Sequence, residues 1–260
     1  MTFKGKTAVV TGGNSGIGKA VVALMKQAGA NVVVGDLKKS EEPGIKSVAC
    51  DVTKYDDLKN LLWASEEEFG PVTFWINNAG MLDEGRIKPF GVKALDPEYR
   101  DMCQRTIAVN LGAVVDGSRL AVTHMLAHGQ GGFVINVSSI SAFLPIAGSP
   151  VYAATKAGVN QLTRSMAQFL GQDSKIKIHT VCPGVVSTPL ALSHPQTKYN
   201  PTRIIEADEI AGAVLDLITA GGTICNGSAM RVYTNKNGEL VKKIYDYPKT
   251  FGGLRPPGEQ

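Results

Sequence analysis

At 260 residues, 43% of them hydrophobic and 19% charged, the chain is long enough to bury one large core and has the composition of an ordinary soluble globular protein. Its net charge of +4 is small and evenly spread, which argues against nucleic acid as a partner. No apolar run reaches the roughly 18 residues a membrane span needs, and "MTFKGKTAVVTGG" lacks a signal peptide's apolar core, so no membrane partner and a cytoplasmic location are expected.

In chain order, short runs rich in Val and Ile alternate with amphipathic stretches. "TAVVTG" (7–12) reads as a strand, followed by a helix over about 17–28. "NVVVGD" (31–36) and "IKSVACDV" (45–52) read as strands, then a helix over about 54–69. "VTFWINNAG" (72–80) is a fourth strand, and one long helical run covers 98–127. "GFVINVSS" (132–139) is a fifth strand, with a helix at 153–170, the strand "IKIHTVCPG" (176–184) and a helix at about 207–219. After Gly221 come a short strand, a turn at Asn237-Gly238 and a tail at about 233–260 that carries aromatic residues. Apolar strands without clean polar alternation, separated by helices, predict an α/β fold: a parallel sheet between two helical layers, doubly wound and Rossmann-like. No linker or internal repeat divides it, so residues 1–260 are expected to form a single domain.

Four cysteines (Cys50, Cys103, Cys182, Cys225) form no C-x-x-C pair, and neither a disulfide framework nor a metal site is expected. His124 and His128 stand at i, i+4 spacing with no third ligand nearby in sequence, and read as helix surface.

In a doubly wound sheet the ligand crevice lies outside the C-terminal ends of the strands, and Thr11, Asp36, Asp51, Asn78, Ser139 and Pro183 all fall there. The first strand runs into "TGGNSGIGKA". Gly12, Gly16 and Gly18 suit a tight turn and close approach to a diphosphate, Asn14 and Ser15 lie inside the loop, and Ile17 anchors the helix whose free N–H groups face that charge. Asp36 closes the second strand, where a carboxylate accepts both adenosine ribose hydroxyls and repels a 2′-phosphate, which favours NAD over NADP. Leu37 follows, and Lys38 and Lys39 read as a solvated loop. Asp51 and Val52 border the adenine by hydrogen bond and packing, and Asn78, Ala79 and Gly80 leave room for the cofactor at the fourth strand's end.

"YAATK" (152–156) puts Tyr152 and Lys156 on one helical face. A free phenol, with a pKa near 10, is a poor base at neutral pH, and a neighbouring ammonium favours its ionised form. Ser139 offers a hydroxyl to hold a substrate oxygen beside that phenol.

With "TGGNSGIG" (11–18), "NNAG" (77–80), Asn110 in "IAVNLGA", Ser139 in "INVSS", "YAATK" and "PGVVSTP" (183–189), the chain resembles the short-chain dehydrogenase/reductase family over residues 5–232. It is most similar to the 15-hydroxyprostaglandin dehydrogenase-like and insect alcohol dehydrogenase-like branch, although Ser149 stands where the prostaglandin enzyme carries a substrate-contacting glutamine. The resemblance implies that Asn110 holds a water that completes a proton relay to Lys156, and that Lys156 also binds the nicotinamide ribose. It adds Pro183, Gly184, Val186 and Thr188 to the cofactor contacts, with Thr188 at the nicotinamide carboxamide. It also implies a homodimer or homotetramer built on the long helices.

Met81, Leu82, Ile140, Phe143, Leu144, Val185, Leu190 and Leu192 are the expected pocket wall, which fits an apolar secondary alcohol or its ketone. Residues 190–204 are read as a modest lid or a plain surface loop, and the stretch between Gly80 and Asn110 as the other rim. The expected activity is NAD-dependent alcohol oxidation. The alternatives are an NADPH-dependent carbonyl reductase and a non-catalytic nucleotide-binding regulator, which would be expected to lack Tyr152 or Lys156.

Overall fold

The computed structural model describes residues 2–83, 97–192 and 203–246. Its elements are β1 (Thr7–Thr11), α1 (Gly16–Gln27), β2 (Asn31–Asp36), β3 (Lys46–Ala49), α2 (Tyr55–Phe69), β4 (Val72–Asn77), α3 (Pro97–Ile107) and α4 (Ala113–Ala127), followed by β5 (Gly132–Val137), α5 (Pro150–Leu170), β6 (Ile176–Pro183), the short α6 (Pro189–Leu192), α7 (Ala207–Ala220), β7 (Ala229–Thr234) and β8 (Leu240–Tyr245).

The strands form one sheet in the order β3-β2-β1-β4-β5-β6-β7-β8, parallel except for β8. The chain winds outward from β1 through β2 to β3, then returns to place β4 on the other flank of β1. That reversal opens a crevice at the C-terminal ends of β1 and β4. Both faces of the sheet are covered. Ala8, Val10, Val32, Val34 and Ile76 pack toward α1 and α7, whereas Val9, Val33, Trp75 and Val134 pack toward α2, α4 and α5. Two-sided burial is why these strands read as continuous apolar runs.

A polar seam crosses the second layer. Asn77 at the end of β4 accepts the Trp75 indole N–H at 2.7 Å and donates to Asn136 of β5 at 2.8 Å, while Asn136 donates to Thr163 of α5 at 2.9 Å. All four side chains are buried, so each bond replaces water that cannot enter. Asn77→Ala leaves the Trp75 donor without its partner and should cost about 2–4 kcal/mol. A urea unfolding free energy that falls by less than about 0.3 kcal/mol would remove the seam from the account of stability.

Three predicted boundaries differ. The helix expected over 98–127 is broken by a π-helical turn at Ala108–Gly112, so α3 and α4 are distinct. The helix expected at 153–170 begins at Pro150, because proline at the first helical turn is pre-organised for it. The tail expected after the Asn237-Gly238 turn contains β8, which pairs antiparallel with β7. Lys242 and Lys243 disguised it, yet lysines suit an edge strand, and Lys242 meets Asp216 of α7 at 2.6 Å. The lid segment at 193–202, the rim at 84–96 and the tail at 247–260 lie outside the described residues.

Candidate active site

A cleft of about 1660 Å³ runs along the C-terminal ends of the strands. At one end it is lined by the loop between β1 and α1. Gly12 turns there with φ +64°, a left-handed value that favours glycine. Gly18 is needed for a different reason. A Cβ on it would overlap the Gly12 carbonyl oxygen and the Asn78 amide, so α1 can start only this close to β4 without a side chain. The Ser15 side chain does not cap α1, and no acidic residue sits in its first turn. Its N–H groups and positive end therefore face the cleft uncompensated, which suits an anion. These features fit a dinucleotide diphosphate.

Asp36 lines the same end, with its carboxylate held by two backbone amides: Asn14 N–H at 3.0 Å and Leu37 N–H at 2.8 Å. Asn14 does not line the cleft, and its side chain instead donates to the Lys38 carbonyl at 2.6 Å. It serves as the brace for Asp36. Lys38 and Lys39 are exposed and do not line the cleft. Asp51 and Val52 do line it, and Asp51 also accepts the Thr53 hydroxyl at 2.7 Å, which holds its carboxyl below the ordinary range. Thr11, unremarked in the sequence beyond its place at a strand end, accepts the amide N–H groups of Asn78 at 3.0 Å and Ala79 at 3.2 Å. That ties the β4 exit to β1 and leaves Asn78, Ala79 and Gly80 along the cleft floor.

Ser139, Tyr152 and Lys156 converge at the other end. Ser139 sits where β5 ends and caps a single 3-10 turn at Ile140–Ala142, its Oγ accepting the Ser141 N–H at 3.1 Å. That contact uses a lone pair and leaves its own hydroxyl proton free to donate. The Lys156 Nζ donates to the Val137 carbonyl at 2.9 Å and stands 5.6 Å from the centre of the Tyr152 ring. The phenol is not acidified in this arrangement as the sequence suggested. Burial pushes Tyr152 up to about 12, with Ser139 opposing and Asp83 and Cys182 adding to the rise. Burial likewise brings Lys156 down to about 8. Desolvation penalises both charged forms, so burial moves the phenol and the ammonium in opposite directions.

Asn110 lies inside the π-helical turn and does not line the cleft. Its side chain brackets Met81, accepting the Met81 N–H at 2.9 Å and donating to the Met81 carbonyl at 2.8 Å. Pro183, Gly184, Val186 and Thr188 line the cleft beyond β6, and Thr188 stands across from Gly16. Of the expected apolar wall, Met81, Leu82, Ile140, Leu144, Val185 and Leu190 are in place. Phe143 is not. It turns away to meet the Arg231 guanidinium of β7 at 5.3 Å and the Tyr245 ring of β8 at 5.8 Å, the second contact available only because β8 exists. Leu192 is 63% exposed, and Ile146 and Tyr233 complete the wall instead.

The His124–His128 pair does have a third neighbour in space, Glu66 of α2, with ligand atoms within 4.8 Å of one another. The His124 Nε2 accepts the Val72 N–H at 3.0 Å, which leaves the ring proton on Nδ1 toward Glu66. With that proton there, His124 has no lone pair for an ion at this face. The trio ties α4 to α2 and to the start of β4.

Comparison with known proteins agrees with this geometry. The family profile described as short chain dehydrogenase matches residues 6–198. A 3beta-hydroxysteroid dehydrogenase 2 of Eggerthella lenta is 30% identical over 88% of the chain and 93% of that protein. A 15-hydroxyprostaglandin dehydrogenase [NAD(+)] of Rattus norvegicus is 31% identical over 93% of the chain and 92% of that protein. Among solved structures, a 3-ketoacyl-(acyl-carrier-protein) reductase from Brucella melitensis complexed with NADH superposes with a TM-score of 0.79 at 27% identity, covering 91% of this chain and all of that one. A glycine-lined cradle, a serine–tyrosine–lysine convergence and a match along most of the chain all lead to one conclusion: this protein belongs to the short-chain dehydrogenase family, oxidoreductases that interconvert hydroxyl and carbonyl groups with NAD(P).

Proposed function

We propose that the chain is an NAD-dependent dehydrogenase of apolar secondary alcohols, with the corresponding ketone reduction as its reverse. The observation that carries this reading is the pairing of Ser139, Tyr152 and Lys156 with the doubly braced Asp36 in one cleft. The nicotinamide cofactor, when bound, takes up or gives the hydride at the carbinol carbon. Ser139 donates its free hydroxyl proton to the substrate oxygen and fixes it beside the phenol. Tyr152 takes the alcohol proton during oxidation and returns it during reduction. Lys156 has N–H bonds left over from its contact with Val137, which suit the nicotinamide ribose and the phenolate that forms in turnover. The Asn110 side chain is committed to Met81, so the proton relay assigned to Asn110 is left to its main chain.

At the opposite end the loop of Gly12, Ser15, Gly16, Ile17 and Gly18 receives the diphosphate while Asn14 braces Asp36, and Asp36 with Leu37 receives the adenosine ribose. Asp51 and Val52 border the adenine, Asn78, Ala79 and Gly80 lie along the cofactor, and Pro183, Gly184, Val186 and Thr188 close over the nicotinamide. The relatives' names accord with this: one is NAD(+)-dependent, one acts on steroids, and one was solved with NADH. Among the described residues no helix is long and apolar enough to cross a membrane. Leu126 and Phe169, exposed near the ends of α4 and α5, support self-association through those helices.

Absorbance at 340 nm with NAD+ and with NADP+, across short, cyclic and long-chain secondary alcohols, tests the reading. Signal with NAD+ is expected, and signal chiefly with NADP+ would sink the Asp36 argument. Asp36→Ala should lower the preference for NAD+ over NADP+ by about 10–100-fold, because it removes both a ribose acceptor and a charge repelling a 2′-phosphate. An unchanged ratio of kcat/KM for the two cofactors would place the discrimination elsewhere.

A further inference from the structure

The catalytic helix α5 cannot cap itself. Its first residue, Pro150, has no N–H, and the Ser149 side chain makes no capping bond to the helix. The hydroxyl of Ser149 instead approaches the Asp83 carbonyl at 3.5 Å. Two N–H groups of the first turn, on Val151 and Tyr152, are met from outside: they donate to the two carboxylate oxygens of Asp83, each at 3.3 Å. Asp83 is 2% exposed and lies 68 and 69 residues away in sequence. It sits in the β4 exit, two residues past Met81, which Asn110 brackets at both its N–H and its carbonyl. The segment carrying Asp83 is thus pinned on one side to the π-helical turn and on the other to the backbone of Tyr152 itself.

We propose that Asp83 is a positioning residue which caps the catalytic helix from a distant loop, and so fixes where the Tyr152 hydroxyl stands relative to Ser139. The proposal rests on the reading of Tyr152 as the proton-transfer residue. A carboxylate across two first-turn amides complements the positive end of α5 and holds its first turn in register. The same carboxylate also disfavours a negative phenolate nearby. Around the Tyr152 hydroxyl, β6 contributes Cys182, which also disfavours the phenolate, the β5 end contributes Ser139, which favours it, and α5 itself contributes Lys156. Asp83 therefore has two separable effects, one of geometry and one of charge.

Two variants separate them. Asp83→Asn keeps the shape and one acceptor oxygen but loses the charge and sets an NH2 group against the second N–H, whereas Asp83→Ala loses charge and both acceptors. In hydrogen exchange with NADH bound, the 150–156 backbone of Asp83→Ala should exchange at least about ten-fold faster than wild type, with Asp83→Asn between the two. In the pH profile of kcat for the best alcohol of the panel, both variants should begin their alkaline rise about one unit lower. Only Asp83→Ala should lose maximal kcat, by about ten-fold, with the KM for NAD+ within two-fold. Exchange in Asp83→Ala that matches wild type, or pH profiles that superimpose, would overturn the proposal. If the alanine variant fails to fold, exchange in Asp83→Asn decides, and protection of 150–156 equal to wild type would overturn the proposal. Activity surviving in Tyr152→Phe would instead defeat the functional reading, and the exchange result would still stand by itself.

Discussion

Tyr152→Phe should lower kcat for alcohol oxidation by at least about 10³-fold while changing NADH affinity by no more than about two-fold. The phenol lines the cleft beside the hydroxyl of Ser139, and phenylalanine keeps its shape while removing the transferable proton. Burial holds the phenol protonated at neutral pH, with a pKa of about 12, so the resting site is built as an acid. Oxidation needs the opposite form. Its rate should therefore climb as pH rises from 7 toward 10, whereas reduction, which uses the protonated phenol, should not climb. Lys156 shapes the same limb. With a pKa near 8 it is still mostly charged at pH 7 and loses its proton as the pH rises past that value, withdrawing the ammonium that a phenolate needs. Paired kcat measurements in both directions from pH 6 to 10, with NADH binding followed by fluorescence, check all of this. Wild-type turnover in the phenylalanine variant would remove Tyr152 from the chemistry.

The second large effect is expected at Gly18, which no reaction step touches. Alanine there sets a methyl group against the Gly12 carbonyl and the Asn78 side-chain amide, which itself donates to Gly12 and Thr11 carbonyls at 2.9 and 3.0 Å. Main chain cannot rotate aside as a flexible side chain does. Either α1 retreats from β4, or the Asn78 bonds break. Gly18→Ala should lose about 2–4 kcal/mol of stability, a fall in Tm of about 5–10 °C, and should weaken NADH binding by at least about 100-fold. Gly222→Ala, at a position with open space around it, is the matched control and should stay within about 1 °C of wild type. Equal melting temperatures for the two variants would show that α1 has slack the structure does not display.

Much of this was legible in the amino-acid order. A strand, three spaced glycines and a helix can be read from "TGGNSGIG" because local backbone needs dictate local residues. Tyr152 and Lys156 are readable for the same reason, since one turn of helix relates them. What failed to show was whatever depends on segments distant in sequence. Asp83 looks like one more acid in a polar stretch until α5 is laid against it, and Thr11 like a strand residue until β4 arrives. Phe143 was misassigned to the pocket because its partners lie far along the chain, Arg231 on β7 and Tyr245 on β8, the strand that its own lysines concealed. The acidity of the phenol was misjudged in sign because spacing reveals a neighbouring charge but not how dry the site is.

The π-helical turn at Ala108–Gly112 carries a consequence for how this chain can change over evolutionary time. Its Ala113 N–H reaches back five residues to the Ala108 carbonyl, one more than an α-helix allows, so the turn behaves as a single-residue insertion accommodated inside a helix. Deleting Val109 or Leu111 would let the segment relax to continuous α-helix, with α3 and α4 nearly keeping their mutual orientation and the residues of the former turn shifting around the axis. Asn110 would then leave Met81, although every amino acid named in the site would still be present. Across this stretch, gaps in an ancestral or shuffled sequence are therefore more damaging than most substitutions. The count of residues is inherited as strictly as their identity.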